Sequence, residues 1–314
     1  MFVVCGEALM DVFMAGDTST GVALDARVGG SPFNVAVGLA RLGQPVSFFG
    51  AVSRGSLGER LVRALRDEGV ATASIARVDA PTTLGFVDLD ARGVPTYTFY
   101  GEGGADRQLG LDALRLLTAT PRALHVGSFA TVVEPVASTL RALVDRVRSG
   151  TLISYDPNVR LHIEPDLRRW REGLQWMLPR TQLLKISEED LGLLRPGVGA
   201  ETFAREALAH GVGLVVVTEG EHGARAATRS LSVKVPAAVA RFVDTVGAGD
   251  AFQAALLTWL AEHDTLTAEA IAALGEDRCV DALRFAAAAA ALACSRRGAD
   301  LPRREELRAQ APGS

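Results

Sequence analysis

A short polar turn, VGAGD, precedes an apolar helical segment and has the composition of an anion site. Gly247 and Gly249 can adopt backbone conformations closed to other residues, and Ala248 adds little bulk, so successive N–H groups can converge on one point. The alanines and leucines of Ala251–Leu260 predict a helix whose positive dipole end faces that point. The sequence therefore predicts a phosphate-sized anion site beside the carboxylate of Asp250, with simple helix capping by Asp250 as the alternative.

The segment GGSPFNVAVGLARLG, residues 29–43, combines a glycine pair with a well-marked helix. Ser31 fits an N-cap, Pro32 fits the first helical position and Gly43 fits the residue just past the helix end. Asn34 falls in the first turn, where its amide either faces a ligand or only caps the helix. The glycine pair would let a substrate come close to the backbone.

Three polar loops follow predicted strands, where a parallel sheet places its ligands. Arg160 in SYDPNVR could clamp a phosphate or carboxylate, or pair with Asp156 to hold the loop. Ser187 in KISEED fits a helix N-cap within an approximate capping box. Gly220 in VTEGEHGA could present backbone N–H groups to a nucleotide, or only form a hairpin turn.

Apolar runs alternate with segments of helical periodicity, which predicts a mainly parallel sheet covered by helices on both faces. The predicted strands are Phe2–Cys5, Val46–Phe49, Ala123–Val126, Leu152–Tyr155, Gln182–Lys185 and Leu214–Thr218. The clearest predicted helices are Leu57–Glu68, Pro135–Arg148, Glu201–His210 and Asp281–Cys294. Two β-rich stretches, 12–28 and 83–100, the second with a turn at 91–93, predict one small antiparallel sheet that covers the ligand, with an ordinary edge hairpin as the alternative.

Composition limits the classes of partner. The 314 residues are 48% hydrophobic, enough for a sizeable core, and the net charge of -4 disfavours nucleic acid and anionic membranes. Three cysteines far apart in sequence predict reduced thiols, and the apolar run that ends at Gly6 is too short for a signal peptide or membrane span. Neither a Walker loop nor a GxGxxG after the first strand occurs, which disfavours an NAD-linked dehydrogenase. We therefore expect a cytoplasmic protein with small-molecule ligands.

The ordered motifs, taken together, resemble those of the ribokinase-like (PfkB) carbohydrate kinases, most closely the fructokinases. The resemblance covers essentially the whole chain and is carried by GEALMD, GGSPFNVAVGLARLG, PTTLGFVDLD, the GAD of GEGGAD, SYDPNVR, KISEED, VTEGEHGA and VDTVGAGDAF. It implies an α/β fold, a three-layer α/β/α ribokinase-like domain formed by 1–11, 29–82 and 101–314, with a small β lid formed by 12–28 and 83–100. It also implies phosphoryl transfer from ATP, with magnesium, to a sugar hydroxyl.

The resemblance also implies roles for individual residues. It makes Asp250 the base that accepts the hydroxyl proton, with an anion hole formed by Gly247, Ala248 and Gly249. Sugar contacts are implied for Asp11, Gly30 and Asn34, and Arg160 would reach toward substrate or phosphate. Nucleotide contacts are implied for Lys185, Glu188, Thr218 and Gly220. Glu188 would reach magnesium through water, and a potassium ion would bind near Asp244 and Gly298.

The identity of the sugar is less constrained than the reaction. Gly101 stands where fructokinases commonly carry an arginine, which counts against 2-keto-3-deoxygluconate because a carboxylate substrate needs a cationic partner, and Glu219 replaces an apolar residue. We expect D-fructose, with a sugar acid, ribose or a nucleoside as alternatives within the family. A non-catalytic sugar-binding sensor is the alternative from another class, although retention of Asp250 argues against it. A homodimer formed through the lid is a further alternative to the monomer.

Overall fold

The computed structural model describes residues 1–89, 95–238 and 242–309, so the turn predicted at 91–93 lies outside the described residues. The strands are β1 (Phe2–Cys5), β2 (Leu9–Asp17), β3 (Val22–Gly29), β4 (Val46–Phe49), β5 (Ala51–Ser53), β6 (Ala76–Val78), β7 (Leu84–Leu89), β8 (Pro95–Tyr100), β9 (Ala123–Gly127), β10 (Leu152–Asp156), β11 (Leu183–Ser187), β12 (Leu214–Thr218), β13 (Ala224–Ala227) and β14 (Ser232–Val235). The helices are α1 (Ser31–Arg41), α2 (Ser56–Asp67), α3 (Val136–Val147), α4 (Leu167–Met177), α5 (Glu188–Leu194), α6 (Ala200–Ala209), α7 (Ala248–Glu262), α8 (Ala268–Ala272), α9 (Glu276–Cys294) and α10 (Arg304–Ala309).

The main sheet has eight strands in the order β14-β13-β12-β11-β10-β9-β1-β4. Its strands from β12 to β4 are parallel, while β13 and β14 are antiparallel because the tight turn Gly220–His222 returns the chain directly beside β12. The predicted mainly parallel sheet is therefore confirmed, and each predicted strand occurs with a shift of at most two residues at either end. The strands β13 and β14 and the helix α4 were not predicted.

Both faces of the main sheet are covered. One buried cluster joins the sheet to α1, α2, α7 and α9 through residues such as Phe33 and Leu256. The other joins it to α3, α4, α5 and α6 through residues such as Trp170 and Phe203. This arrangement confirms the predicted three-layer α/β/α architecture. In the part of the chain that the structure describes, no helix is both long enough and apolar enough to cross a membrane.

A separate four-stranded sheet, in the order β3-β2-β7-β8, forms what we call the lid. Its pairs β2–β3 and β7–β8 are antiparallel, as predicted, but the central pair of β2 with β7 is parallel. The predicted all-antiparallel sheet is therefore wrong in its central pair. The strand β2 begins at Leu9, so Asp11 lies within the lid sheet rather than before it. The division of the chain into domains stays a prediction.

Candidate active site

The residues of the predicted anion site lie at the N-terminus of α7. Gly247 is the N-cap with a φ of 79°, a left-handed conformation that favours glycine, and the first bond within the helix runs from Ala251 N to Gly247 O at 2.8 Å. The N–H groups of Gly249 and Asp250 precede that bond and have no acceptor within the helix. Ala248 N donates to Thr245 O at 3.1 Å, so this predicted donor is engaged within the turn. Backbone donors therefore converge at this helix end.

Gly249 is glycine for a different reason than the sequence predicts. Its backbone is helical, and the expectation of an unusual conformation is wrong at this position. A Cβ atom on Gly249 would lie 3.2 Å from Lys185 Nζ, so the missing side chain makes room for the ammonium group. The buried Lys185 donates to Asp156 Oδ2 at 2.8 Å. Burial alone would lower the pKa of Lys185, but the Asp156 carboxylate raises it, which keeps a cation beside the anion site.

Asp250 is buried in the first turn of α7, and both of its oxygens are held by α1. Ser31 Oγ donates to Asp250 Oδ1 at 2.6 Å, and Asn34 Nδ2 donates to Asp250 Oδ2 at 2.8 Å. Burial raises the pKa of Asp250, whereas these two hydrogen bonds and the positive charges of Arg160 and Lys185 lower it. The carboxylate is thus fixed in one orientation before any ligand binds.

The start of α1 differs from the prediction. Gly30, with a φ of 106°, is the N-cap, while Ser31 is the first helical residue and Pro32 the second. The predicted N-cap role of Ser31 is therefore wrong, because its hydroxyl donates to Asp250 instead. A Cβ on Gly30 would lie 2.8 Å from Glu7 O, so the chain needs glycine here for a close approach. Gly43 follows the helix end with a φ of 86°, as predicted.

Asp11 projects from the lid strand β2 between two glycines. A Cβ on Gly29 would lie 2.2 Å from Asp11 Oδ2, and one on Gly85 would lie 3.3 Å from Asp11 Oδ1. Burial raises the pKa of Asp11 to about 7, with the Arg160 charge lowering it and the Asp250 charge raising it further. The structure thus brings Asp11, Arg160 and Asp250 into one electrostatic neighbourhood, although they come from three distant segments.

Arg160 follows β10 and does not form the predicted alternative pair with Asp156. Asp156 is paired with Lys185, while Arg160 Nη1 donates to Val159 O at 3.0 Å. Its positive charge lowers the pKa of Asp11 and Asp250 against the effect of burial. Arg160 is therefore a half-buried cation among the carboxylates of the site, and its predicted contact with substrate or phosphate stays a prediction.

The predicted nucleotide residues share one edge of the sheet. Ser187 and Thr218 are paired in register at the ends of β11 and β12. Ser187 Oγ accepts from Asp190 N at 3.0 Å, which confirms the predicted cap, and the exposed Glu188 begins α5. Gly220, with a φ of 55°, begins the exposed turn that closes the β12–β13 hairpin. Gly220 therefore forms the predicted hairpin turn, and its backbone is also accessible at the end of β12.

Asp244 joins two loops through hydrogen bonds to its carboxylate. Its Oδ1 accepts from Val246 N at 3.0 Å and its Oδ2 accepts from Gly298 N at 2.8 Å. The described residues contain no group of three or more His, Cys, Asp or Glu side chains arranged to hold a metal ion. Any cation bound near Asp244 would therefore depend on backbone carbonyl groups, and one near Glu188 on a single carboxylate and water.

Two features of the site were missed by the sequence interpretation. The hold of Ser31 on Asp250 could have been suspected only from its position directly after a glycine pair. The buried Glu7, 1% exposed, follows β1, and burial raises its pKa to about 8. A glutamate two residues after a fully apolar strand is a signal for a buried carboxyl group at the ligand edge of the sheet.

Comparisons with known proteins agree on one family. The model of the pfkB family carbohydrate kinases matches residues 1–306. A fructokinase of Rhizobium leguminosarum bv. trifolii is 35% identical over 276 residues, 88% of this chain and 84% of the relative. A fructokinase of Klebsiella pneumoniae is 36% identical over 310 residues and 97% of each chain.

Solved structures give the same result. The crystal structure of fructokinase from Xylella fastidiosa with bound ATP superposes with a TM-score of 0.87, at 27% identity over 98% of this chain and 97% of that one. Fructokinase from Vibrio cholerae O395, in a form with fructose, ADP and calcium ion bound, superposes with a TM-score of 0.83 at 28% identity, again over 98% and 97% of the two chains.

Proposed function

We propose that this chain, which belongs to the pfkB family of carbohydrate kinases, transfers the γ-phosphoryl group of ATP to a hydroxyl of D-fructose. The observation that carries the proposal is the buried Asp250 carboxylate, held through both oxygens at the helix end that also presents free backbone N–H groups. The names of the relatives support fructose as the sugar. The bound ligands of the two neighbours support ATP and a metal ion.

In this reaction Asp250 accepts the proton of the sugar hydroxyl. As the hydroxyl oxygen bonds to the γ-phosphorus, the bond from that phosphorus to the bridging oxygen breaks, which releases ADP. Phosphoryl transfer needs positioning and neutralisation of charge on the equatorial oxygens. The N–H groups of Gly249 and Asp250 donate to those oxygens, and the Lys185 ammonium lies just beneath. Removing one preorganised donor in such a site typically costs about 3 kcal/mol.

The raised pKa of Asp250 suits its proposed role. A carboxylate with an ordinary pKa is a weak base at neutral pH, and burial moves this one toward the working range. Ser31 and Asn34 bond to the ionised form and keep it available. Asn34 therefore serves the base directly, and its predicted contact with the sugar stays a prediction alongside those of Asp11 and Gly30.

A neutral ketose fits the site better than a sugar acid. A Cβ on the buried Gly101 would lie 2.4 Å from Thr83 Oγ1, so no arginine can stand at this position without moving the lid base. The ionised Asp11 accepts hydrogen bonds from sugar hydroxyls and repels a carboxylate. Arg160 then serves the phosphoryl group or a sugar oxygen.

The proposed sites for the nucleotide and its magnesium ion lie at the edge of the sheet where β11 and β12 end. Magnesium, when bound, neutralises charge on the phosphates, and Glu188 would reach it through water, because its carboxylate is exposed at the first residue of α5. Lys185, Thr218 and Gly220 complete the proposed nucleotide site. A potassium ion would take carbonyl ligands near Asp244 and Gly298.

We also propose a homodimer through the lid and a cytoplasmic location. The lid exposes Met14, Val22 and Leu24, apolar side chains that a second copy of the chain could cover. The free Cys5, Cys279 and Cys294 suit a compartment that keeps thiols reduced.

The test is coupled ADP release with ATP, magnesium and a panel of fructose, ribose, glucose, 2-keto-3-deoxygluconate and nucleosides. We expect fructose to give the highest kcat/KM. Release with another substrate instead would reassign the sugar within the family. Tight fructose binding with no ADP release from any substrate would contradict the kinase proposal and favour the sugar sensor.

A further inference from the structure

We propose that Arg27 is a positioning residue that couples the lid to the anion site at the start of α7. Arg27 lies on the lid strand β3, and its guanidinium contacts the loop that holds Gly247 in place. The inference rests on the proposed kinase function, because the coupling matters only if the sugar on the lid and the phosphoryl group at α7 must meet. It assigns a role to a residue outside every motif of the sequence.

The lid side of the contact is well defined. Arg27 Nη1 donates to Arg297 O at 2.8 Å, across 270 residues of sequence, and Arg27 Nε donates to Asp25 Oδ2 at 2.8 Å. Arg27 and Arg297 both lie against the ring of Phe13, with their Cζ atoms 5.5 and 5.8 Å from its centroid. Phe13 is itself buried. The Phe13 ring on β2 is thus contacted by Arg27 of the lid and by Arg297 of the loop that follows α9.

The contacted loop leads directly to the anion site. Gly298 N donates to Asp244 Oδ2 at 2.8 Å, and Asp244 Oδ1 accepts from Val246 N at 3.0 Å, next to the N-cap Gly247. A Cβ on Gly247 would lie 2.8 Å from Ala299 Cβ, so this loop packs against the N-cap itself. A shift of the loop at Arg297 would therefore be transmitted to the backbone that presents the N–H donors.

The lid end of this connection is also the sugar end. Arg27 and Asp11 are directly opposite each other in the β2–β3 ladder, so both side chains project from the same face of the lid. A movement of Asp11 with the lid would therefore also move Arg27. Because Asp25 already compensates its charge and Arg297 O takes one of its donors, Arg27 acts through the loop rather than as a direct phosphate ligand.

Three variants test the contact. Losing a hydrogen bond from a charged group to the loop that packs against Gly247 is expected to cost about 10-fold in kcat for Arg27→Ala, with KM for ATP changed less than about 3-fold. Arg27→Lys keeps a cationic donor for Arg297 O and should restore kcat to within about 3-fold of wild type. Asp25→Asn is the matched control: it removes the exposed ion pair but leaves the bond to Arg297 O, and it should stay within about 2-fold.

Wild-type kcat in Arg27→Ala would overturn the inference. So would an equal loss in Asp25→Asn, because the ion pair and not the loop contact would then matter. If the wild-type chain itself releases no ADP from any substrate of the panel, the proposed function fails instead, which keeps the two outcomes distinct.

A double-mutant cycle with Asp244→Asn tests the route through the loop. If Arg27 acts through the bridge that Asp244 makes between Gly298 and Val246, then Arg27→Ala should lower kcat less than about 2-fold further in the Asp244→Asn background. Independent, multiplicative losses would contradict this route. Thermal unfolding of each variant separates a loss of folding from a loss of turnover.

Discussion

Two carboxylates of one site, the buried Asp250 and the half-buried Asp11, are held in opposite ways. Asp250 lies in the first turn of a core helix, and two side chains from α1 donate to its two oxygens. Asp11 lies on a strand of the lid between Gly29 and Gly85, and among the described residues no side chain donates to it. One carboxylate is fixed before the ligand arrives, and the other keeps its hydrogen-bonding capacity free for the ligand.

In the proposed function, this difference separates the residue that does the chemistry from the residue that recognises the sugar. A base must be within hydrogen-bond reach of its proton in the transition state, so a fixed orientation favours turnover. A sugar contact is made only when the sugar is present, and the cost of burying an unpartnered carboxylate appears in the raised pKa of Asp11. The α7 end should therefore determine kcat and the lid end should determine KM for fructose.

The largest expected effect comes from Asp250→Asn. The amide cannot accept the hydroxyl proton, so kcat should fall by about 10²–10⁴-fold. Fructose binding, measured by calorimetry, should be largely retained, because the variant keeps the size and position of the side chain. Near-normal turnover would show that Asp250 is not the base, and it would contradict the difference in role between Asp250 and Asp11.

Loss of the buried cation should be the largest effect on stability. Lys185→Met would leave Asp156 as an unpaired buried carboxylate, which should lower the free energy of unfolding by about 3–5 kcal/mol. Denaturant unfolding measures this change. The double variant with Asp156→Leu should recover most of the stability but not kcat, because the cation beside the anion site stays absent. Full recovery of both would reduce the pair to a structural role.

The pH dependence of KM for fructose should identify Asp11. Its pKa is raised from 3.8 to about 7, so the ionised form that accepts sugar hydroxyls is present above pH 7 and lost as the pH falls. Fructose affinity should then drop about 10-fold per pH unit below that point. Asp11→Asn should remove this titration.

The same pKa shift has an opposite consequence for stability, which gives a control. A raised pKa in the folded state means that ionisation disfavours folding, so this contribution to stability falls as the pH rises from about 4 to 7. Asp11→Asn should therefore unfold at a higher temperature than wild type above pH 7. A lower unfolding temperature would show that the carboxylate has a partner in the fold.

The smallest effect on kcat is expected when a methyl group is added at Gly249. Gly249→Ala would bring a Cβ to 3.2 Å from Lys185 Nζ and should lower kcat by about 3–10-fold by displacing the cation or the donors. Gly192→Ala, in α5, is the matched control, because a Cβ there meets no atom within 4 Å. It should leave kcat unchanged and raise stability by up to about 1 kcal/mol. Equal effects of the two substitutions would contradict the close approach.

The fold was largely predictable because its signals are local. Alternating apolar runs and helical segments specify the parallel layers, and Gly43 and Ser187 mark helix ends through chemistry that acts within a few residues. The strands β13 and β14 were missed because four-residue runs such as ARAA carry almost no periodic signal. The parallel pairing of β2 with β7 depends on two segments about 70 residues apart, and no local pattern specifies it.

The candidate site was predictable in its members more than in its contacts. Glycine at 247 is explained by its own backbone, so the sequence predicted it correctly. Glycine at 249 is explained by Lys185, which arrives from β11, and the pairing of Lys185 with Asp156 follows from the adjacency of β10 and β11. Ser31 looked like a cap because capping is the usual role of a serine before a helix, yet Gly30 takes that place.

The most direct test of this division is a single-turnover measurement on Asp250→Asn and Asp11→Asn, each saturated with fructose and then mixed with ATP and magnesium. We predict that Asp11→Asn, once saturated, forms ADP within about 3-fold of the wild-type rate, while Asp250→Asn is slower by at least about 100-fold. The reverse order, or equal losses in both variants, would contradict the assignment of chemistry to the fixed end of the site and recognition to the lid.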